Sequence, residues 1–207
     1  MYALDEHTVL RRYRRRNVPD EEVAIIQHVR ASGFPTPAVI DHRGPDLILE
    51  RVDGPTMRAD LERDTSRLLA HAATLASLHE RLHAITAPDW LRPISGHGPE
   101  QQPGAVVVHL DLHPENVLIG PGGPSVIDWA NARSGHWADD VAQTVVIVAG
   151  ALAPEPLASA VPLFVDAFLE RFDRDAVRAH LGAAIARRVE DPKLTEAEKE
   201  AARRVRI

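Results

Sequence analysis

The sequence contains no cysteine. Disulfides, thiolate nucleophiles and cysteine-ligated zinc are therefore excluded. Lysine is almost as scarce: of 24 basic residues only Lys193 and Lys199 are lysine, a bias we read as codon usage before chemistry. Long apolar runs are missing too. The longest lies near residues 145–152, far short of the roughly 20 residues that span a bilayer. The first residues, MYALDEHTVLRRYRRR, carry charge where a secretory signal has an apolar core. The net charge of −6 offers no basic footprint for nucleic acid. These absences point to a cytoplasmic protein that engages neither membrane nor nucleic acid.

What is present is ordinary for a globular protein: 207 residues, 44% hydrophobic and 26% charged, enough for one large domain or two small lobes. No internal repeat or low-complexity linker interrupts the chain. Residues 8–13 read as a short strand with 1–4 as a hairpin partner. Residues 21–31 carry Val23, Ile25, Ile26 and Val29 near helical period, ended by Gly33 and Pro35. Strands follow at 38–41 and 47–52. After Gly54 the character changes. Leu68, Leu75, Leu78 and Leu82 mark a buried helix over 65–84. A loop at 93–104 precedes a β-branched strand, 105–110. Short strands at 117–119 and 125–127 flank a Gly/Pro turn. Four helices follow, at 138–151, 156–172, 174–190 and 195–206, the last opened by a Thr195/Glu198 capping box. The expectation is a small α/β lobe, 1–53, and a larger helical lobe, 54–207.

Chemistry concentrates in residues 109–128, HLDLHPENVLIGPGGPSVID. Asp111 emerges at a strand end, and Asn116 stands five residues on. His109, Asp111 and Asn116 match the kinase catalytic-loop spacing H-x-D-x-x-x-x-N, and Asp128 follows after a hairpin where a kinase carries its metal-binding aspartate. Phosphoryl transfer needs an oriented hydroxyl and cations on the phosphate oxygens rather than covalent help. Asp111 can aim the hydroxyl and accept its proton. The carboxylate of Asp128 and the amide oxygen of Asn116 are hard ligands of the kind Mg²⁺ takes from protein.

His-Leu-Asp-Leu-His-Pro-Glu-Asn resembles the H-G-D-L-H-P-x-N signature of aminoglycoside phosphotransferases and their choline kinase-like relatives. Ile127-Asp128-Trp129 is similar to their metal motif, and residues 135–142, GHWADDVA, to their G-D-P-x-x-D-L-A. The departures are Leu110 at a glycine position and His136-Trp137 for Asp-Pro. The resemblance implies an α+β, protein-kinase-like fold, Mg²⁺, and ATP or GTP. It makes Asp111 the catalytic base, Asn116 and Asp128 the metal ligands, and His109, His113 and Asp140 supporting residues, with Asp140 bracing the catalytic loop. More weakly, it assigns Arg11 to the α/β-phosphates and Glu22 as its ion-pair partner. The adenine-binding hinge would be the backbone near Glu50 and Val52, and Gly33-Phe34-Pro35-Thr36-Pro37 resembles the family's G-x-P-x-P turn. No protein-kinase activation segment is present, which favours a small-molecule hydroxyl acceptor.

No glycine precedes Gly33, so the Gly-rich phosphate-covering loop of such a lobe is missing. The expectation is a displaced start codon, a protein that works without that flap, or lost catalysis. The strand at 8–13 would then lie near a sheet edge able to pair with a second copy, giving a homodimer. Three other readings stay open. The chain is an inactive relative that binds a nucleotide or small molecule, or His109, Asp111 and His113 hold a metal in a hydrolase, or the segment is a polar loop. His71, His79 and His83 at near-helical spacing read as packing ahead of a metal site. The acceptor, among aminoglycosides, amino alcohols, sugars and macrolides, is left undecided. Asp139, Asp166, Glu170, Asp173 and Asp175 are candidates for attracting a cation.

Overall fold

A computed structural model describes residues 2–94, 104–151 and 155–207. Most of the loop expected at 93–104 lies outside them. Four short strands form an antiparallel sheet: β1 (Tyr2–Ala3), β2 (Thr8–Arg12), β3 (Val39–Arg43) and β4 (Asp46–Glu50), in the order β1-β2-β4-β3. The first turn is set by Asp5, whose Oδ1 accepts hydrogen bonds from the backbone of His7 and Thr8 at 2.8 and 2.7 Å, an Asx-type turn. β1 covers only Val9 and Leu10 of β2, so among the described residues most of that edge has no strand beside it.

Helix α1 (Asp20–Ala31) packs beside this sheet. Its first turn is acidic and its last turn basic, matching the helix dipole. It buries Val23, Ile25, Ile26 and Val29. Gly33, at φ +80°, ends it in a conformation that costs glycine little.

Beyond residue 54 the chain is mainly helical: α2 (Met57–Arg63), α3 (Leu68–His83), α4 (Trp137–Ala149), α5 (Leu157–Leu169), α6 (Arg174–Glu190) and α7 (Glu196–Arg203). Two small antiparallel pairs lie among them, β5 (Val106–Val108) with β8 (Arg133–Gly135) and β6 (Val117–Gly120) with β7 (Gly123–Val126). α4 is buried on every side from Ala138 to Ile147, as a helix apolar all round should be. α3 supports it with Leu75, Leu78 and Leu82 fully covered. Truncating one such leucine to alanine costs about 2–5 kcal/mol. One continuous apolar core runs from Leu47 and Leu49 of the sheet through Leu75 to Phe168 and Leu181.

The structure departs from the sequence expectations in three places. α2 was not anticipated. It has only Met57 and Leu61 to signal helical period, and Thr56 caps it by accepting from Ala59 N at 3.1 Å. The helix expected from 65 begins at Leu68, because Asp64 accepts from Ser66 N and holds 65–67 in a 3₁₀ turn. β8, Arg-Ser-Gly, has no β-forming residue and is a strand only through its pairing with β5. α7 lies largely at the surface and buries Ala202.

Candidate active site

The hairpin of β6 and β7 explains how Asn116 and Asp128 come together. Val117 pairs with Val126 and Gly120 with Gly123 across a two-residue turn. The residues flanking the hairpin are therefore neighbours, and Ile127 N donates to Asn116 O at 3.0 Å. Asp128 follows with φ +67°, a left-handed conformation that aspartate tolerates better than most residues. The turn at 33–37 is tied to the same point. Val126 N donates to Pro35 O, and Thr36 Oγ1 donates to Val126 O at 2.9 Å and accepts from Trp129 Nε1 at 2.9 Å.

Asn116 Nδ2 donates to the carbonyl of Asp111 at 2.8 Å and to its carboxylate Oδ2 at 3.2 Å. That orientation leaves the amide oxygen for a ligand. At Asp128, Oδ1 accepts from Arg11 Nη2 at 2.9 Å, which leaves Oδ2. A carboxylate and an amide oxygen brought to one place by a hairpin are the donors Mg²⁺ accepts, with waters completing its shell. Arg11 also donates to Glu22 at 3.0 Å, and Glu22 in turn accepts from Tyr13 Oη. Burial works against the Arg11 charge, but Asp128 and Glu22 more than offset it and hold its pKa above the ordinary value. Arg11, Glu22 and Asp128 thus form one chain of ion pairs across 117 residues of sequence.

Asp111 is half-buried. Burial pushes its carboxyl up, and the hydrogen bond from His113, with the positive potential of His113, His109 and Arg188, outweighs this and brings it below the usual range. His113 Nε2 lies 3.4 Å from Asp111 Oδ1. His113 Nδ1 accepts from Glu115 N at 3.4 Å, which puts the ring proton on Nε2, facing Asp111.

His109 points inward and is fully buried. Its Nδ1 accepts from Asp111 N at 3.2 Å, its Nε2 faces Ile127 O at 3.2 Å, and burial holds its pKa below the ordinary histidine value. With both nitrogens committed to backbone groups, it does not converge with Asp111 and His113. Among the described residues the one cluster with metal-binding geometry is His79, His83 and Asp140. The hydrolase alternative therefore loses its ligand set.

Asp140 is fully buried on α4. Its Oδ1 accepts from Leu110 N at 2.7 Å, and its Oδ2 from His109 N at 3.1 Å and His83 at 3.0 Å. Burial alone would raise this carboxyl, but the His83 hydrogen bond keeps it well below the carboxylate range. Leu110 itself sits at φ +60°. That is the left-handed region that favours glycine, which explains why the signature it resembles has glycine there. One helical turn beyond Asp140, Thr144 Oγ1 donates to Leu112 O at 2.6 Å and faces His79 Nε2 at 3.1 Å. Burial drives His79 down to about 3. His83 and Thr144 were missed as loop supports. Their only sequence signal is the i, i+4 spacing of His79 with His83 and of Asp140 with Thr144. At the departure His136-Trp137, His136 Nδ1 caps α4 by accepting from Ala138 N.

At the other end of the small sheet, Glu50 closes β4. Its backbone N–H donates to Ala38 O, and its carboxylate accepts from Ala38 N at 2.9 Å and pairs with Arg30. The Val52 backbone makes no hydrogen bond among the described residues. Gly54 is required there: a Cβ at its φ of +148° would lie 2.1 Å from Ile119 O. The acids considered for cation attraction are dispersed. Asp139 is buried beside His180 and Arg187, Asp166 pairs with Arg174, Asp173 caps α6, and Asp175 pairs with Arg178.

Residues 90–180 match the model of the phosphotransferase enzyme family. The match takes in residues 109–128 whole and agrees with the resemblance to aminoglycoside phosphotransferases and choline kinase-like enzymes. No curated protein matches the chain. Among solved structures, an aminoglycoside-3′-phosphotransferase of type VIII is 20% identical, with a TM-score of 0.55 over 89% of this chain and 77% of its own. An ethanolamine kinase of Plasmodium vivax is 13% identical, with a TM-score of 0.60 over 94% and 74%. An amicoumacin kinase solved with AMP-PNP and Ca²⁺ is 12% identical, with a TM-score of 0.61 over 99% and 85%. The chain therefore has the protein-kinase-like fold of these enzymes, with a small sheet lobe and a larger helical one.

Proposed function

We propose that the chain transfers the γ-phosphate of ATP or GTP to a hydroxyl group of a small molecule. The observation that carries this reading is the convergence of Asp111, Asn116, Asp128 and Arg11, with Asn116 hydrogen-bonded to Asp111 and Arg11 ion-paired to Asp128. Asp111 aims the acceptor hydroxyl and takes its proton as the oxygen attacks the γ-phosphorus. The bond from that phosphorus to the β–γ bridging oxygen breaks, and the nucleoside diphosphate leaves with the electron pair. Asn116 and Asp128 would hold Mg²⁺, which when bound neutralises phosphate charge. Arg11, freed in part from Asp128, reaches the α/β-phosphates while Glu22 keeps it in place. The free backbone of Val52 and the end of β4 at Glu50 suit adenine, and the lobes meet near 53/54. The relative solved with AMP-PNP and Ca²⁺ supports this donor and metal class.

The direct Arg11–Asp128 ion pair favours a second reading, a chain that binds nucleotide without transferring phosphate. Purified protein separates the two by nucleoside diphosphate release and Mg²⁺-dependent nucleotide binding. On the first reading Asp111→Asn and Asp111→Ala lose about 10²–10⁴ in rate and keep their nucleotide affinity. Undiminished turnover in both variants would refute the assignment of Asp111.

A further inference from the structure

A cavity of about 200 Å³ lies beside the catalytic loop, where His113 and Glu115 meet α2, α4 and α5, with Arg188 of α6 in its wall. None of Arg11, Glu50, Val52 or Asp128 lines it. Asp111 does not line it either; the cavity meets Asp111 through His113, whose Nε2 lies 3.4 Å from Asp111 Oδ1.

The charges in its wall are nearly all spent. Arg58 pairs with Glu62 at 3.0 Å and with Glu115 at 3.1 Å. Glu198 accepts from Thr195 N at 2.8 Å and Oγ1 at 2.7 Å in the capping box of α7. His113 faces Asp111. Arg188 alone among these has no side-chain hydrogen bond or ion pair among the described residues, although its field reaches both Asp111 and Glu198. The rest of the wall is apolar and includes Leu157, Val161 and Phe164.

We infer that this cavity is the acceptor subsite and takes a compact alcohol bearing a carboxylate, its anionic end on Arg188 and its body against Leu157, Val161 and Phe164. The inference rests on the proposed phosphotransfer and narrows its substrate class. An unpaired guanidinium in a partly dry wall is a planar donor fork suited to a carboxylate. A polycation such as an aminoglycoside finds no free carboxylate in this wall, since Glu115 and Glu198 are engaged, and it meets the Arg188 charge. It is also large for the space, because pockets for drug-sized ligands run to about 300–1,000 Å³.

The test is calorimetric binding to the full chain in the presence of MgADP, which needs no turnover. The probes are 3-hydroxyisobutyrate, glycerate, the neutral 2-methyl-1,3-propanediol, choline and kanamycin. At least one hydroxy acid should bind at millimolar concentration, more tightly than the diol or either cation. Arg188→Gln should weaken it about 10- to 100-fold, the range of a lost charge-assisted hydrogen bond, with MgADP binding as the control for folding. The inference is overturned if neither hydroxy acid binds, if kanamycin or choline binds more tightly, or if Arg188→Gln leaves the affinity unchanged. If a hydroxy acid does turn over, Arg188→Gln should raise its KM. A lower kcat at constant KM would instead put Arg188 on the transferring phosphate and refute the assignment. Hydroxy-acid binding without any diphosphate release would uphold the subsite and overturn the transfer reading, so the two fail separately.

Discussion

Asp140→Asn is the most informative perturbation of the catalytic loop, because it keeps size and shape and removes one acceptor. In the native chain the two carboxylate oxygens accept from Leu110 N at 2.7 Å and His109 N at 3.1 Å. An amide offers a single acceptor oxygen and turns its NH₂ toward the other N–H. The loss is one hydrogen bond to a charged group, about 1.5–3 kcal/mol, and one buried donor left unpaired, about 1–3 kcal/mol. Leu110 adds to the pressure on the loop, since its left-handed backbone stores about 1–2 kcal/mol. Partial relaxation returns some of this, so the expected loss is about 3 kcal/mol. In urea unfolding, at a slope of about 3 kcal/mol per molar, the midpoint should fall by about 1 M. The difference should also depend on pH with a definite sign. The Asp140 carboxyl titrates below its unfolded value. Its contribution is thus complete above the unfolded pKa of about 3.9 and is lost as pH falls through the folded one. The part of the gap carried by the carboxyl itself should close only below about pH 4. A stability loss under about 0.5 kcal/mol at neutral pH, the size of an ordinary surface change, would refute the bracing role.

Other expectations follow from single distances and angles. Leu110→Gly should be more stable than Leu110→Ala by about 1 kcal/mol in urea unfolding, the reverse of the usual order, because φ is +60° there. Gly54→Ala should cost upward of about 3 kcal/mol, since the added Cβ meets Ile119 O at 2.1 Å. Asp128→Ala should abolish the Mg²⁺ dependence of nucleotide binding, read by fluorescent-nucleotide titration with and without chelator. The rate profile should lose activity on the acid side only below about pH 4, because Asp111 is held below the ordinary carboxylate value and stays ionised as a base until then. An acid limb near pH 6 would point to a different base.

Much of the fold could be read from periodicity. The apolar spacing of α1, α3, α4 and α6 and the Gly/Pro turn between β6 and β7 are local signals, because each element's own residues decide its face. Elements that exist only through a neighbour, such as β8 against β5, left no such mark. The candidate site divides in the same way. The spacing of Asp111, Asn116 and Asp128 is written in the chain, since a loop and a hairpin of fixed length join them. That Arg11 reaches Asp128 across 117 residues, that Asp140 holds the backbone at His109 and Leu110, and that Arg188 has no partner among the described residues while its field reaches Asp111 depended on how the sheet, α4 and α6 pack. The sequence by itself determined which groups could do the chemistry, because residue type and short-range spacing are covalent properties. Tertiary structure decided which of those groups are neutralised, buried or left free, because partners and desolvation come from segments far apart in the chain.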